Sequence, residues 1–278
     1  MPNLDLKEQT DLPNFRRIAI GTWEKTYDPS VYGSLQVRME KPLAYIDTFR
    51  QKTGKRLTIS HMMAKATAMA LKEVPEANAV LRFNRVYLRK VVGVFFQVAM
   101  TDEGSDKVDL SGTTLYGVDQ MNLSEIIDEF ERKVELVRTR KDPALEKTRK
   151  SFQVVPNMLL NGFLKALSFF SHDLNLDLGW AGMPKDPFGS VMITNIGSIG
   201  LDQAFVPLVP FSGVPILLAL GEVTDAPVVE DGEVTVGKVM NICATFDHRF
   251  IDGVHASVLS RVIRRYLGDP FKHFDALD

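Results

Sequence analysis

Cysteine is almost missing from this chain. Its single example, Cys243, permits no internal disulfide, so an oxidising compartment is neither required nor supported. No apolar run reaches the roughly 18 residues of a membrane span. The opening stretch MPNLDLKEQTDLPNF lacks the charged-then-apolar pattern of a secretory leader. An excess of one charge is missing too: 33 basic residues stand against 35 acidic ones, which leaves no drive toward nucleic acid or an anionic membrane. His61, His172, His255 and His273 have no partners at metal-ligand spacing, and with one cysteine no metal site is expected. There is no internal repeat, low-complexity tract or flexible linker. These absences leave a cytoplasmic, single-domain globular protein as the expectation.

What is present suits a full core, since 45% of the 278 residues are hydrophobic. Residues 1–14 read as an exposed lead-in, with a helix over 15–25 after it. Leu35 to Glu40 alternates apolar and polar as a half-buried strand does. Helices are expected over 42–52, over 59–74 with Ser60 as N-cap, and over 123–141 with a basic stretch Arg138 to Lys150 at and beyond its end. Val91–Met100, Ser190–Asn195, Val214–Val223 and Val234–Phe246 read as strands, with a hairpin turn at 230–233. A last helix runs from Gly253 to Leu267. Mixed strands and helices without strict alternation suggest an α/β domain with a mixed sheet.

The most informative stretch is Asp247-His248-Arg249-Phe250-Ile251-Asp252-Gly253. An apolar strand ends, ionisable groups cluster, and a helix begins with Asp252 placed to cap it. A neutral imidazole at such a turn can take the proton of a thiol. Arg249 and Asp252 are expected to pair and fix the turn. The plainer reading is a surface histidine beside a helix cap. A second turn, Thr194-Asn195-Ile196-Gly197-Ser198-Ile199-Gly200, offers hydroxyl and amide donors for an oxyanion; alone it also reads as an ordinary polar turn. His61 reads as a packed or capping residue, and Cys243 as buried and inert.

In this order and spacing the two turns resemble the catalytic domain of the acyltransferase component of 2-oxoacid dehydrogenase complexes, the dihydrolipoamide acyltransferases, whose fold chloramphenicol acetyltransferase shares. The family motif Asp-His-Arg-x-x-Asp-Gly is complete at 247–253. Leu57 through Asn78 is similar to a family helix and the turn after it, and the likeness covers about residues 13–270. The resemblance implies a chloramphenicol acetyltransferase-like two-layer domain over 15–278, with a mixed sheet, flanking helices and trimeric assembly. It implies acyl transfer between coenzyme A and a dihydrolipoyl thiol, with His248 as base, Asp252 structural, and Thr194 in place of the family's serine as oxyanion donor. Asn195, Ser198 and Gly197 would support that turn. His248 and Thr194 would come from different chains of a homotrimer or a larger multiple of trimers. Alternatives are a hydroxyl or amine acceptor, or an inactive core that scaffolds partner subunits.

Three features depart from the family. No lipoyl or subunit-binding module is visible, so the lipoyl group is expected on another protein, with dehydrogenase-complex subunits as further partners. The loop Thr101 to Leu110 is acidic where the family has a Pro-Val element. Residues 151–178 look like an apolar insertion, with only Lys165 charged before Asp173. It reads as a helix over an enlarged pocket, as a subunit contact, or as a membrane-surface helix.

Overall fold

The computed structural model describes residues 28–83, 85–101, 108–139, 155–179 and 183–277. The helix expected over 15–25, the basic residues Arg140 to Lys150 and the centre of the acidic loop lie outside them.

Among the described residues the core of the fold is a seven-stranded sheet whose principal order is β1-β9-β7-β6-β4-β5, with β8 added on β9. β1 (Ser30–Arg38) is an edge strand that buries Leu35 and Val37 and exposes Ser34, Gln36 and Arg38, as its alternating sequence requires. β9 (Glu233–Asp247) pairs antiparallel with β1, with β7 (Ile216–Leu220) and with β8 (Thr224–Glu230). β6 (Val191–Asn195) runs parallel to both β7 and β4 (Gly93–Thr101), so the sheet is mixed. The β8–β9 hairpin turns at Asp231 and Gly232, both at positive φ (51° and 86°), the turn type that matches strand twist.

Two pairings are not legible in the sequence. β5 (Val108–Tyr116) pairs with β4, although its Ser-Gly-Thr-Thr centre hides the strand pattern. β2 (Ala79–Arg82) and β3 (Arg85–Leu88) form a separate small hairpin.

Four helices cover one sheet face: α1 (Glu40–Thr53), α2 (Ile59–Glu73), α3 (Leu123–Arg138) and α5 (Gly253–Gly268). α2 is capped by Thr58 rather than Ser60, because Thr58 is still extended while Ser60 is already helical. Asn122 caps α3, accepting from the Glu125 amide at 2.9 Å while Glu125 accepts from Asn122 N at 2.8 Å. The opposite face carries Met192, Leu217, Ala219 and Cys243, covered by Ala204, Val206, Leu208 and Val214 from the connection before β7. Cys243 is buried there.

The apolar segment forms α4 (Asn157–Ser168) and a π-helical turn, Phe169–Asp173. No residue from 159 to 179 is buried, so within one chain this stretch is not a helix enclosed over a pocket. Leu159, Phe169, Phe170, Leu174 and Leu176 stay exposed. The segment is held to the β2–β3 hairpin by the Phe83–Phe169 ring contact and by Arg82 Nε donating to the Asp173 carbonyl at 3.1 Å. Among the described residues no helix is long and apolar enough to cross a membrane.

Candidate active site

β9 ends at Asp247, and backbone bonds fix the turn beyond it. Asp247 N donates to Pro215 O at 2.9 Å, His248 N to Pro29 O at 2.9 Å, and Ile251 N to Asp247 O at 3.0 Å. The chain therefore leaves the sheet between β1 and β7 and turns at once. Asp247 is buried, 5% exposed. It accepts from Arg249 through Nε at 2.9 Å and Nη2 at 2.6 Å, and from the Arg249 amide at 3.1 Å. This carboxylate holds the Arg249 guanidinium above its usual pKa.

The ring of His248 is exposed on this turn. Its Nδ1 lies 3.0 Å from the Ile251 carbonyl oxygen. A carbonyl can only accept, so Nδ1 carries the proton and Nε2 keeps a free lone pair. Among the described residues nothing bonds Nε2. The ring is thus oriented by the backbone, with its basic nitrogen available.

Asp252 caps α5, accepting from Val254 N at 2.9 Å and His255 N at 3.2 Å. His255 Nδ1 also stands 2.7 Å from the Asp252 carboxylate. The His255 amide is the main cause holding the Asp252 carboxyl below its ordinary pKa. The expected Arg249–Asp252 pair is therefore absent. Asp252 directs its oxygens into the free N–H groups of its own helix, and Arg249 reaches the carboxylate two residues back. Sequence reasoning misses the Asp247–Arg249 grip and the Ile251 carbonyl. The spacing Asp-x-x-His at a helix start is the one signal that could have shown the 252–255 pair.

Thr194 lies near the end of β6, half-buried, and among the described residues its hydroxyl bonds nothing. Asn195 and Ser198 are used by the turn itself: Asn195 Oδ1 accepts from Ser198 N at 3.1 Å, and Ser198 Oγ donates to Asn195 O at 2.7 Å. Gly197 has to lack a side chain, since a Cβ would meet the Gly221 backbone at 2.5 Å.

The structure does not bring His248 and Thr194 together within a chain. Thr194 is level with Ala219 on β7, and Ala219 with Cys243 on β9. His248 lies five residues past Cys243, which at strand rise is roughly 16 Å along the sheet, with two strand spacings of about 4.8 Å across it. The turns occupy opposite ends of the sheet. His61, by contrast, is a core residue, 2% exposed, as expected of a packed or capping histidine. Among the described residues there is no cluster of histidine, cysteine and carboxylate suited to a metal.

The model of the 2-oxoacid dehydrogenases acyltransferase (catalytic domain) matches residues 8–158 and 187–274, leaving most of the apolar segment unmatched. A dihydrolipoyllysine-residue acetyltransferase component of the pyruvate dehydrogenase complex from Bacillus subtilis is 41% identical over 81 residues. That stretch is 29% of this chain and only 18% of the relative's length. A probable dihydrolipoamide acetyltransferase from Listeria monocytogenes superposes with TM-score 0.66 over 98% of this chain and 99% of that one, at 18% identity. A dihydrolipoamide acetyltransferase from Azotobacter vinelandii, investigated for the role of a serine, a histidine and an asparagine in its catalytic mechanism, superposes with TM-score 0.64 at 19% identity, covering 98% of both chains. At these identities the two structures establish a shared fold.

Proposed function

The chain belongs to the 2-oxoacid dehydrogenase acyltransferase catalytic-domain family, and on that premise we propose that it moves an acyl group between coenzyme A and the thiol of a dihydrolipoyl group. His248 Nε2 takes the thiol proton as the sulfur attacks the thioester carbon. Thr194 from a neighbouring copy donates to the oxyanion. The intermediate expels the other thiol, which recovers the proton from the imidazolium. Asp252 and the Asp247–Arg249 pair position the turn rather than touch substrate.

The observation that carries this reading is the Nδ1 contact to the Ile251 carbonyl. It fixes the tautomer that leaves Nε2 an acceptor, the state a general base needs. The Azotobacter protein was investigated for the catalytic roles of a serine and a histidine, which supports giving a hydroxyl and a ring those parts here, with Thr194 as the hydroxyl. The separation of the turns supports a site shared between copies, since one chain supplies only half of it. A homotrimer closed by head-to-tail contacts would bring the His248 turn of one copy to the Thr194 turn of the next. The exposed apolar face of 159–176 fits a contact between copies or with partner subunits.

The test is release of free coenzyme A thiol by purified protein. Acyl-coenzyme A with dihydrolipoamide should give turnover that His248→Ala abolishes while assembly is kept. Turnover only with alcohols or amines overturns the thiol acceptor, and no turnover with any acceptor leaves a scaffold.

A further inference from the structure

Residues 159–186 stand outside the domain shared with the family, and their outer side is covered by nothing among the described residues. The inner side is anchored: the His172 ring packs against Gly213, where a Cβ would meet it at 2.9 Å. The outer side carries Leu159, Phe169, Phe170, Leu174 and Leu176, all exposed. The surface continues onto the tip of the β2–β3 hairpin. Phe83 meets Phe169 at a ring-centroid distance of 6.3 Å, and Phe169 meets Phe170 at 5.7 Å. Three exposed aromatic rings thus form one contiguous patch. A patch of this kind marks a contact that the single chain does not make.

The charges around it select the partner. The whole chain is nearly balanced, but cations gather here. Arg82 and Arg85 stand directly opposite each other across the hairpin, on either side of Phe83. Lys165 is exposed on α4, four residues before Phe169. Like charges set opposite on paired strands repel. Among the described residues none of the three forms an ion pair. Arg82 reaches the Asp173 carbonyl and the face of the Tyr87 ring, and Arg85 is exposed. The two carboxylates of the segment are engaged elsewhere: Asp173 accepts from Phe83 N at 3.3 Å, and Asp177 pairs with Lys185 at 3.0 Å.

A second copy docked through the same face would bring these cations together, which their repulsion opposes. Lipid phosphates answer the cations, and acyl chains receive the rings without a matched shape. We propose that this face seats the protein on an anionic lipid surface. The rings of Phe83, Phe169 and Phe170 enter the boundary of headgroup and acyl chain, and Arg82, Arg85 and Lys165 meet the phosphates. α4 lies on the surface and does not cross it, since it has 12 residues where a span needs about 20.

The test is co-sedimentation of the purified, assembled protein with vesicles of phosphatidylcholine alone or mixed two to one with phosphatidylglycerol. The wild-type protein should bind the anionic vesicles at least about tenfold more tightly, and high salt should weaken that binding. Phe169→Ser combined with Phe170→Ser should lower affinity at least about tenfold. Arg85→Glu combined with Lys165→Glu should lower it by a similar factor, about fivefold for each cation lost. All four positions are exposed, so melting temperature and molar mass should stay those of the wild type. A wild type that ignores anionic vesicles, equal binding to both kinds of vesicle, or folded variants that bind as the wild type does each overturn the proposal. A drop in molar mass of the phenylalanine variant, with no vesicle binding by the wild type, gives the face to a contact between copies and overturns it too.

Discussion

His61 and His248 are the same side chain held in opposite tautomers, each by one hydrogen bond of its Nδ1. His248 Nδ1 faces a carbonyl, so its proton sits there and Nε2 is an exposed acceptor. His61 Nδ1 accepts from the Thr58 amide at 3.3 Å, so its proton sits on Nε2, which is buried without a partner. The His61 ring packs edge-to-face on Phe130 at 4.8 Å. Burial, with Arg56 adding to it, lowers the His61 pKa to about 4. The lesson is that a histidine's role is set by what its Nδ1 meets. A base needs the backbone to take the Nδ1 proton; a packed histidine at a helix start needs the reverse.

The sharpest break of this comparison is His248→Ala. Activity should fall by about a thousandfold, the weight of a positioned general base, while melting temperature and molar mass hold. A His61→Ala chain should instead lose stability before it loses chemistry. Next in size is the Thr194 hydroxyl, proposed above as the oxyanion donor. Thr194→Val should lower kcat about a hundredfold, as loss of one oxyanion donor does, whereas Thr194→Ser should stay within about tenfold of the wild type.

The third effect is on stability alone. The unfolded His61 takes a proton near pH 6.5 and the folded one near 4, so the unfolded chain binds more protons in between. Stability is therefore full above pH 6.5 and declines as pH falls toward 4, by about 3 kcal/mol in all. His61→Phe should flatten that part of the denaturation curve, and an unchanged slope would remove the contrast. The smallest effect is at the cap: Asp252→Ala should cost about 1 kcal/mol of stability, read by urea melts.

Much of the site is legible in the sequence because its signals are local. The motif at 247–253 sits where an apolar strand meets a helix pattern, and both elements form there. The partner of Arg249 is not legible, because Asp247 and Asp252 are both within reach in sequence and only the turn geometry chooses. Ser60 loses the cap to Thr58 for the same reason. β5 is hidden because its Ser111-Gly112-Thr113-Thr114 centre lacks apolar alternation and is held by its ladder to β4.

The central claim is that ring and hydroxyl come from different copies. His248→Ala and Thr194→Val chains carrying different tags can be co-expressed, and the mixed oligomers purified through both tags. Each variant alone should be nearly inactive. Mixed trimers should restore about a third of the wild-type rate, because one interface in each ring of three pairs an intact ring with an intact hydroxyl. Mixed oligomers no more active than the separate variants would contradict the account.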